Sequence, residues 1–161
     1  MVNLLISLGV NVNARDPYQN TPLHEAMKTG NPIIVQALIK AGANPLAVSA
    51  LDGNTPLHLA MEKGSDAETF FKLLDTKKNA GVNLRNQKHE TPFMLAAKYG
   101  HLKLIIDWLA KIDDHSNEDN NPPVAVSPEN IDEAFDIALR DENGRAVALY
   151  LLGQISNIKF R

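Results

Sequence analysis

The stretch that decides the fold is NTPLHEAMKTGN, residues 20–31, because the chain contains it three times. It returns as NTPLHLAMEKGS at residues 54–65 and, more changed, as ETPFMLAAKYGH at residues 90–101. The threonines of the three copies, Thr21, Thr55 and Thr91, are 34 and 36 residues apart. Self-similarity at a period of this size is typical of a solenoid, in which each unit shields the apolar side of its neighbour.

Each copy has the chemistry of a helix start followed by a helix stop. Threonine is a favourable N-cap because it can accept a hydrogen bond from a free N–H of the first turn. Proline suits the next position, since it has no N–H to leave unsatisfied and its φ is already helical. A glycine nine residues after each threonine then predicts the helix end. These glycines are Gly30, Gly64 and Gly100.

A second apolar helix is predicted after each glycine. The segments are PIIVQALIKAG at residues 32–42, ETFFKLLD at residues 68–75 and LKLIIDWLAK at residues 102–111. Their apolar residues recur at helical spacing, which places them on one face. Each unit is therefore predicted to be a helix, a tight turn, a second helix and an extended loop rich in Asn, Asp and Gly.

With these features in phase, the sequence resembles ankyrin repeats. The matching residues are Thr-Pro-Leu-His at positions 21–24 and 55–58, Gly-Ala-Asn at positions 42–44, and Asp16. The resemblance covers roughly residues 2–112 and implies an all-α solenoid of stacked antiparallel helix pairs with projecting β-hairpin-like loops. Two residues depart from the pattern: Met94 replaces a histidine and His89 replaces the hairpin glycine, so the third turn is expected to be strained or reshaped.

The repeat phase divides residues 1–161 into the parts of one ankyrin-repeat domain. The predicted parts are a partial repeat at 2–15, repeats at 16–49, 50–85 and 86–112, an acidic loop at 113–126 and a degenerate capping repeat at 127–155. The last part repeats the helix-pair logic without the Thr-Pro-Leu-His signature, and two helices alone bury too little surface to form a separate domain. The partial repeat indicates a piece of a longer protein; the alternative is a ragged cap that begins at Met1.

Composition limits the classes of function. The chain has no cysteine, which excludes thiolate chemistry and fits a reducing compartment. Its net charge is −3, and residues 113–161 are more acidic than the rest, with 4 Lys and Arg against 10 Asp and Glu. We therefore expect no nucleic-acid partner, no membrane insertion and an intracellular, most simply cytoplasmic, location. For an injected bacterial effector this location would be the host cytosol.

Motifs for catalysis, metal binding or cofactor binding are absent from the sequence. His24 and His58 occupy the same position in two repeats, so we expect each imidazole to bond the loop and the helix start. The prediction is a protein that is not an enzyme, with no catalytic residue, metal, cofactor or small-molecule substrate. The residues predicted to be structural are Thr21, Pro22, His24, Thr55, Pro56, His58, Thr91 and Pro92.

A stack of helix pairs presents an extended surface rather than an enclosed crevice. Carried over residue by residue, the resemblance implies partner contacts at the loop tips and on the first helices. Tyr18, Leu51 and Tyr99 are the predicted anchors, because large exposed side chains dominate interface energies. The full predicted contact set is Tyr18, Asn20, Lys28, Leu51, Asp52, Asn54, Glu62, Gln87, Lys88, Glu90, Lys98 and Tyr99.

Three functional hypotheses follow. The first is a non-catalytic protein–protein interaction module that binds a protein partner through its concave face and loop tips, as part of a larger protein. The second is the targeting segment of an enzyme or bacterial effector whose catalytic domain lies outside this chain. The third is that Asn13 and Asn83 are substrates of an asparagine hydroxylase, as the resemblance to ankyrin repeats implies.

Overall fold

The computed structural model describes residues 6–62, 67–74, 81–113, 126 and 128–158. Within these ranges every regular element is a helix, as the all-α prediction requires. Of the predicted acidic loop at residues 113–126, only the two end residues fall in the described ranges. The helices are α1 (Pro22–Thr29), α2 (Pro32–Lys40), α3 (Pro56–Met61), α4 (Ala67–Leu74), α5 (Pro92–Lys98), α6 (Leu102–Asp113), α7 (Pro128–Arg140) and α8 (Arg145–Ile158).

The chain divides into two compact units. The first unit comprises Met1–Gly81 and Arg85–His89, and the second comprises Val82–Leu84 and Glu90–Arg161. Along the sequence, the chain therefore enters the second unit at Val82–Leu84, returns to the first unit at Arg85–His89 and then continues in the second unit from Glu90.

The first unit is a stack of helix pairs. Helix α1 packs against α2 and α3, and α4 packs against α2 and α3, so that first helices lie beside first helices and second beside second. Full burial of one large apolar side chain stabilises the fold by about 1.5–3 kcal/mol relative to leaving it exposed. The largest fully buried apolar side chains of this unit are Leu23, Met27, Leu57, Met61, Phe70 and Leu74.

The predicted helix starts are confirmed. Thr21, Thr55 and Thr91 have an extended backbone and each precedes a proline in the first helical position. The predicted stop after α1 is also confirmed, because Gly30 is left-handed, with φ 70°, and its N–H donates to carbonyls of the last turn. Gly100 has φ 78° after α5, and the predicted stop at Gly64 lies outside the described residues.

In the second unit, two helix hairpins pack on each other. Helix α5 packs against α6 and α7, and α8 packs against α7 and α6. The two turns approach so closely that a Cβ on Gly100 would overlap the carbonyl oxygen of Asn143, so a side chain does not fit there. The buried Asn130 at the start of α7 donates its amide Nδ2 to Oδ1 of Asn83, 2.9 Å away. The reading of residues 127–155 as a capping repeat stays a prediction.

Candidate protein-binding surface

Three tight loops of the first unit carry most of the predicted contact residues. We call them loop 1 (residues 16–20), loop 2 (residues 49–54) and loop 3 (residues 86–89). Loops 1 and 3 close with bonds between residues three apart: Gln19 N–H donates to Asp16 O at 2.9 Å and His89 N–H to Asn86 O at 3.0 Å. In loop 2 the bond from Gly53 N–H reaches Ser49 O, four residues back, at 3.0 Å. Loop 2 is therefore one residue longer.

The three loops are joined by backbone hydrogen bonds. Ala50 N–H donates to Tyr18 O at 2.9 Å, and Gln87 N–H donates to Asp52 O at 2.9 Å. The side-chain amide of Gln87 adds a bond to Ala50 O at 3.0 Å. Because each loop is bonded to the next, the tips form one continuous ledge in the first unit, which we call the tip ledge.

Each loop has one residue in the left-handed region. Gln19 has φ 63°, Gly53 has φ 72° and His89 has φ 61°. Of the two expected consequences of the missing glycine, strain is confirmed and reshaping is not: the third turn is kept, and His89 adopts the left-handed conformation that favours glycine. Only in loop 2 is there a steric reason for glycine, because a Cβ on Gly53 would lie 2.8 Å from the backbone nitrogen of Gln87.

The ledge exposes two large apolar side chains. Tyr18 is 58% exposed and Leu51 is 65% exposed, although the loops that carry them are held by backbone bonds. Gln87 and Lys88 are exposed at loop 3, and Asp52 is partly buried. An apolar side chain on a rigid support suits binding, since little conformational entropy remains to be lost on association.

The predicted contact residues on the first helices of this unit are charged side chains at the surface. Lys28 and Glu62 are both exposed. The Lys28 ammonium is 2.8 Å from the carboxylate of Glu25, and both side chains are about half exposed, so the pair stabilises the helix by only about 0.2–0.5 kcal/mol.

The side chains of two predicted contact residues, Asn20 and Asn54, are buried rather than exposed. Their exposed fractions are 7% and 8%, and their side chains are occupied inside the fold. Each donates its amide nitrogen to a loop aspartate, Asp16 at 3.2 Å and Asp52 at 2.9 Å, and Asn54 also accepts from the Asn86 amide at 2.9 Å. A buried amide must be hydrogen-bonded. The bonds of these two asparagines to the loop residues therefore help to fix the conformation of the loops.

Asp16 organises loop 1. Its carboxylate accepts the backbone N–H of Tyr18 at 2.9 Å and that of Asn20 at 2.8 Å. Burial alone would raise the pKa of the Asp16 carboxyl, but the hydrogen bonds from Asn20 and Tyr18 outweigh it, so that the pKa lies below the ordinary value. The carboxylate therefore stays ionised and keeps Tyr18 in place at the tip.

His24 links the start of α1 to loop 2. Its Nδ1 accepts the backbone N–H of Thr21 at 3.1 Å, and its Nε2 lies 3.2 Å from the carbonyl oxygen of Asn54. The side chain is fully buried, and this burial lowers the pKa of His24, although the Asn54 carbonyl partly offsets the effect. At the start of α3, the Nδ1 of the buried His58 accepts the N–H of Thr55 at 3.1 Å.

In the second unit, Met94 takes the position of these histidines. Its Sδ accepts the backbone N–H of Thr91 at 3.4 Å, in place of the imidazole Nδ1. The Thr91 hydroxyl in turn accepts the N–H of Met94 at 3.2 Å, so the reciprocal cap is kept. A thioether sulfur is only a weak hydrogen-bond acceptor, however. Unlike histidine with its Nε2, methionine has no second polar side-chain atom with which to bond a neighbouring loop.

The remaining predicted contacts belong to the second unit. The Glu90 carboxylate binds the Lys98 ammonium at 3.1 Å, and its side chain is only 18% exposed. The hydrogen bond to Glu90 raises the pKa of Lys98, against the opposing effect of burial. The ammonium also lies 5.9 Å from the centre of the Tyr99 ring, within cation–π range. Lys98 and Tyr99 are both partly buried, so these three residues form a small cluster rather than free anchors.

Among the described parts of the chain, no group of three or more His, Asp or Glu residues is placed to hold a metal ion. In the same parts, no helix is long and apolar enough to cross a bilayer.

Comparison with known proteins identifies the repeats. The profile of the family described as ankyrin repeats, in three copies, matches residues 1–74. Residues 1–74 are therefore ankyrin repeats. Ankyrin repeats mediate protein–protein interactions and are not in themselves catalytic.

Relatives carry the similarity beyond the matched repeats. The mouse NF-kappa-B inhibitor alpha is 49% identical over 97 residues, which cover 58% of this chain and 31% of that protein. A putative ankyrin repeat protein of fowlpox virus, FPV031, is 34% identical over 121 residues, or 70% of this chain and 35% of that protein. The human neurogenic locus notch homolog protein 4 is 36% identical over 90 residues, only 4% of its length. The ankyrin repeat chain thus spans about a third or less of these relatives.

Two features of the tip ledge were not predicted from the sequence. The left-handed conformation of Gln19 could not be predicted, since glutamine is not one of the residues that favour this conformation. The extra residue of loop 2 was also hidden, because the spacing of Thr21 and Thr55 matches an ordinary repeat. A count from Asp16 to Thr21 and from Ser49 to Thr55 would have found it.

Proposed function

We propose that this ankyrin repeat chain is a non-catalytic module that binds a protein partner through the tip ledge and the adjoining first-helix surface. The observation that supports the proposal is the pair of exposed side chains, Tyr18 and Leu51, on loops that are hydrogen-bonded to each other. Tyrosine is one of the residue types enriched at the energetic centres of interfaces, and an exposed leucine adds apolar surface that is removed from water on binding.

In this proposal the contact set on the first unit is narrower than the sequence alone suggested. It keeps Tyr18, Leu51 and Lys88 at the tips, with Asp52 and Gln87 beside them and Lys28 and Glu62 on the helices. Lys98 and Tyr99 are a separate contact of the second unit, where Glu90 orients the lysine. Asn20 and Asn54 are left out because their side chains are buried.

The partner is a protein rather than a nucleic acid, a membrane or a small molecule. A net charge of −3 gives no general attraction to polyanions, and the ledge is a row of loop tips rather than an enclosed pocket. We further propose that the chain works in the cytoplasm as part of a larger protein, in which residues 1–161 form one continuous repeat domain with the boundaries predicted above.

The test is affinity capture from a cell lysate with two matched double variants. One carries Tyr18→Ala and Leu51→Ala on the ledge; the other carries Ile33→Ala and Leu46→Ala, which are also exposed but lie away from the loop tips. The ledge variant is expected to lose the captured protein, and the control variant is expected to keep it. Equal recovery by both variants would show that the ledge is not the contact surface.

A further inference from the structure

Arg15 is an exposed cation at the edge of the tip ledge, and two hydrogen bonds hold it in place. Its Nη1 donates to the carbonyl oxygen of Gln19 at 3.3 Å and to that of Val48 at 3.2 Å. Gln19 directly follows Tyr18 in loop 1, and Val48 directly precedes loop 2, so the guanidinium lies where the two loops meet. A side chain that is already held in place loses less conformational entropy when a partner binds it.

The residues directly before the three loops are Arg15, Val48 and Arg85. Nη1 of Arg85 donates to the carbonyl oxygen of His89 at 2.9 Å, and His89 is the left-handed residue of loop 3, as Gln19 is of loop 1. The bond from an arginine to the left-handed residue is therefore a recurring part of the loops. At the same position before loop 2, Val48 is 45% exposed and places an apolar side chain next to Arg15.

The other edge of the Arg15 guanidinium suits a carboxylate. Besides Nη1, a guanidinium carries N–H donors on Nε and Nη2, whose parallel N–H bonds match the two oxygens of a carboxylate. Among the described residues, none accepts a hydrogen bond from Nε or Nη2 of Arg15, and no carboxylate forms an ion pair with it. The carboxylate of the neighbouring Asp16 instead accepts the N–H groups of Tyr18 and Asn20 within loop 1.

We propose that Arg15 docks a carboxylate of the protein partner, and that an aliphatic side chain next to this carboxylate packs on Val48. The proposal rests on the protein-binding function proposed above and names the chemistry of the partner, which is an acidic segment with aliphatic neighbours. Because Arg15 binds the residue that follows Tyr18, the carboxylate lies beside the ledge and is part of the same contact. Opposite charges that meet across an interface fix the register of the partner and raise the rate of association.

The charges around Arg15 favour a single carboxylate over the phosphates of a nucleic acid. A nucleic acid takes its affinity from a series of neutralised phosphates and from stacked bases. Loops 1 and 2 carry the negative charges of Asp16 and Asp52, which repel a chain of phosphates that runs along the ledge. One held arginine next to an apolar Val48 offers no such series, but it provides both contacts that an acidic residue with an aliphatic neighbour needs.

The test uses a short probe of defined sequence. The probe is the acetylated and amidated peptide Leu-Glu-Leu-Gly, and the control peptide has Gln in place of Glu. A magnetic resonance titration of the full chain follows the Nε–H signal of Arg15 and the backbone amides, and it measures a Kd of about 1 mM or weaker, as a small contact gives. We expect the Glu peptide to shift the Arg15 Nε–H signal and the amides of loop 1 and Val48 saturably. The Gln peptide should bind about fivefold more weakly.

Two variants that each remove one arginine provide a matched comparison. Arg15→Gln removes the docking group, and Arg140→Gln removes an exposed arginine at the end of α7, in the second unit. We expect Arg15→Gln to raise the Kd of the Glu peptide about fivefold and Arg140→Gln to leave it unchanged. Arg15→Lys should give an intermediate Kd, since an ammonium keeps the charge but lacks two parallel donors.

The Arg15 variants also lose the bonds to the carbonyls of Gln19 and Val48, so the urea midpoint of each variant is measured as well. The shift of the Arg15 Nε–H signal in the unchanged chain needs no variant. It therefore tests the docking of the carboxylate even if the variants loosen loop 1.

The proposal is overturned if the Glu peptide does not bind, if the Gln peptide binds equally well, or if the Arg15 Nε–H signal does not shift at saturation. Equal loss of binding in Arg15→Gln and Arg140→Gln would also overturn it, because the attraction would then depend only on net charge. A single-stranded DNA of about 12 nucleotides that binds more tightly than the Glu peptide, and that Arg15→Gln releases, would make the anion a phosphate and the partner a nucleic acid.

Failure of this inference can be told apart from failure of the proposed function. If capture depends on Tyr18 and Leu51 while the Glu peptide does not bind, the inference fails and the proposed function stands. If the peptide binds at Arg15 while capture does not depend on Tyr18 and Leu51, the proposed contact surface fails instead.

Discussion

Replacing Gly53 by alanine tests how loops 2 and 3 are held together. The residue is left-handed, with φ 72°, and its new Cβ would lie 2.8 Å from the nitrogen of Gln87, which is closer than carbon and backbone nitrogen approach. That nitrogen donates the hydrogen bond to Asp52 that joins the two loops. Loop 3 must therefore shift, and the bond must lengthen or break.

The magnitude follows from three contributions. A left-handed alanine costs about 1–2 kcal/mol, and the lost loop–loop hydrogen bond costs about 0.5–1.5 kcal/mol. The smaller entropy of the unfolded alanine chain returns about 0.4–1 kcal/mol. The expected loss in the free energy of unfolding is about 2 kcal/mol, large enough to move the urea midpoint clearly.

The assay is urea unfolding followed by far-UV circular dichroism, with two control variants at the equivalent positions. Gln19→Ala keeps a Cβ on a left-handed residue, so its effect should stay within about 0.5 kcal/mol. His89→Gly should stabilise the chain by about 0.5–1 kcal/mol, because glycine adopts φ 61° without strain. If Gly53→Ala lowers the free energy of unfolding by no more than Gln19→Ala does, loop 3 does not approach loop 2 as closely as the structure shows.

Three further predictions concern buried and paired groups. Burial lowers the pKa of His24 below its ordinary 6.5, so the unfolded chain binds a proton that the folded chain does not, and stability is lost as the pH falls through 6.5. Urea midpoints at about pH 7.5 and about pH 5.5 should therefore differ less in His24→Gln than in the parent, and an equal difference would contradict this. Asn130→Ala should cost about 0.5–1.5 kcal/mol in thermal unfolding because it removes the hydrogen bond to the exposed Asn83; an unchanged transition would contradict the bond. Lys98→Met should cost no more than about 1 kcal/mol, since its pair with Glu90 is partly exposed, and a larger loss would mean that the pair is more deeply buried in solution.

Much of the fold could be predicted because its signals are local. A threonine before a proline marks a helix start through the geometry of two adjacent residues, and α1, α3 and α5 all begin there. The repeat period then predicts stacking, since a module of about 34 residues cannot cover its own apolar face. Both inferences need only neighbours in sequence or a comparison of the chain with itself.

The contact surface was less predictable, because exposure depends on neighbours that are distant in sequence. Asn20 and Asn54 look like tip residues when the chain is read alone, but loop aspartates and Asn86 fill their hydrogen bonds. Glu90 likewise looks free until Lys98, eight residues away, is found beside it. No periodicity reports such pairings.

The order of helices, the class of fold and the family follow from the residues alone, because capping and apolar spacing are properties of short segments. Two features required the folded chain: the bonding of three loops into one ledge and the need for glycine at position 53. Each depends on how one repeat is set against the next. The position of one repeat against the next is decided by packing between side chains that are about 34 residues apart in the sequence.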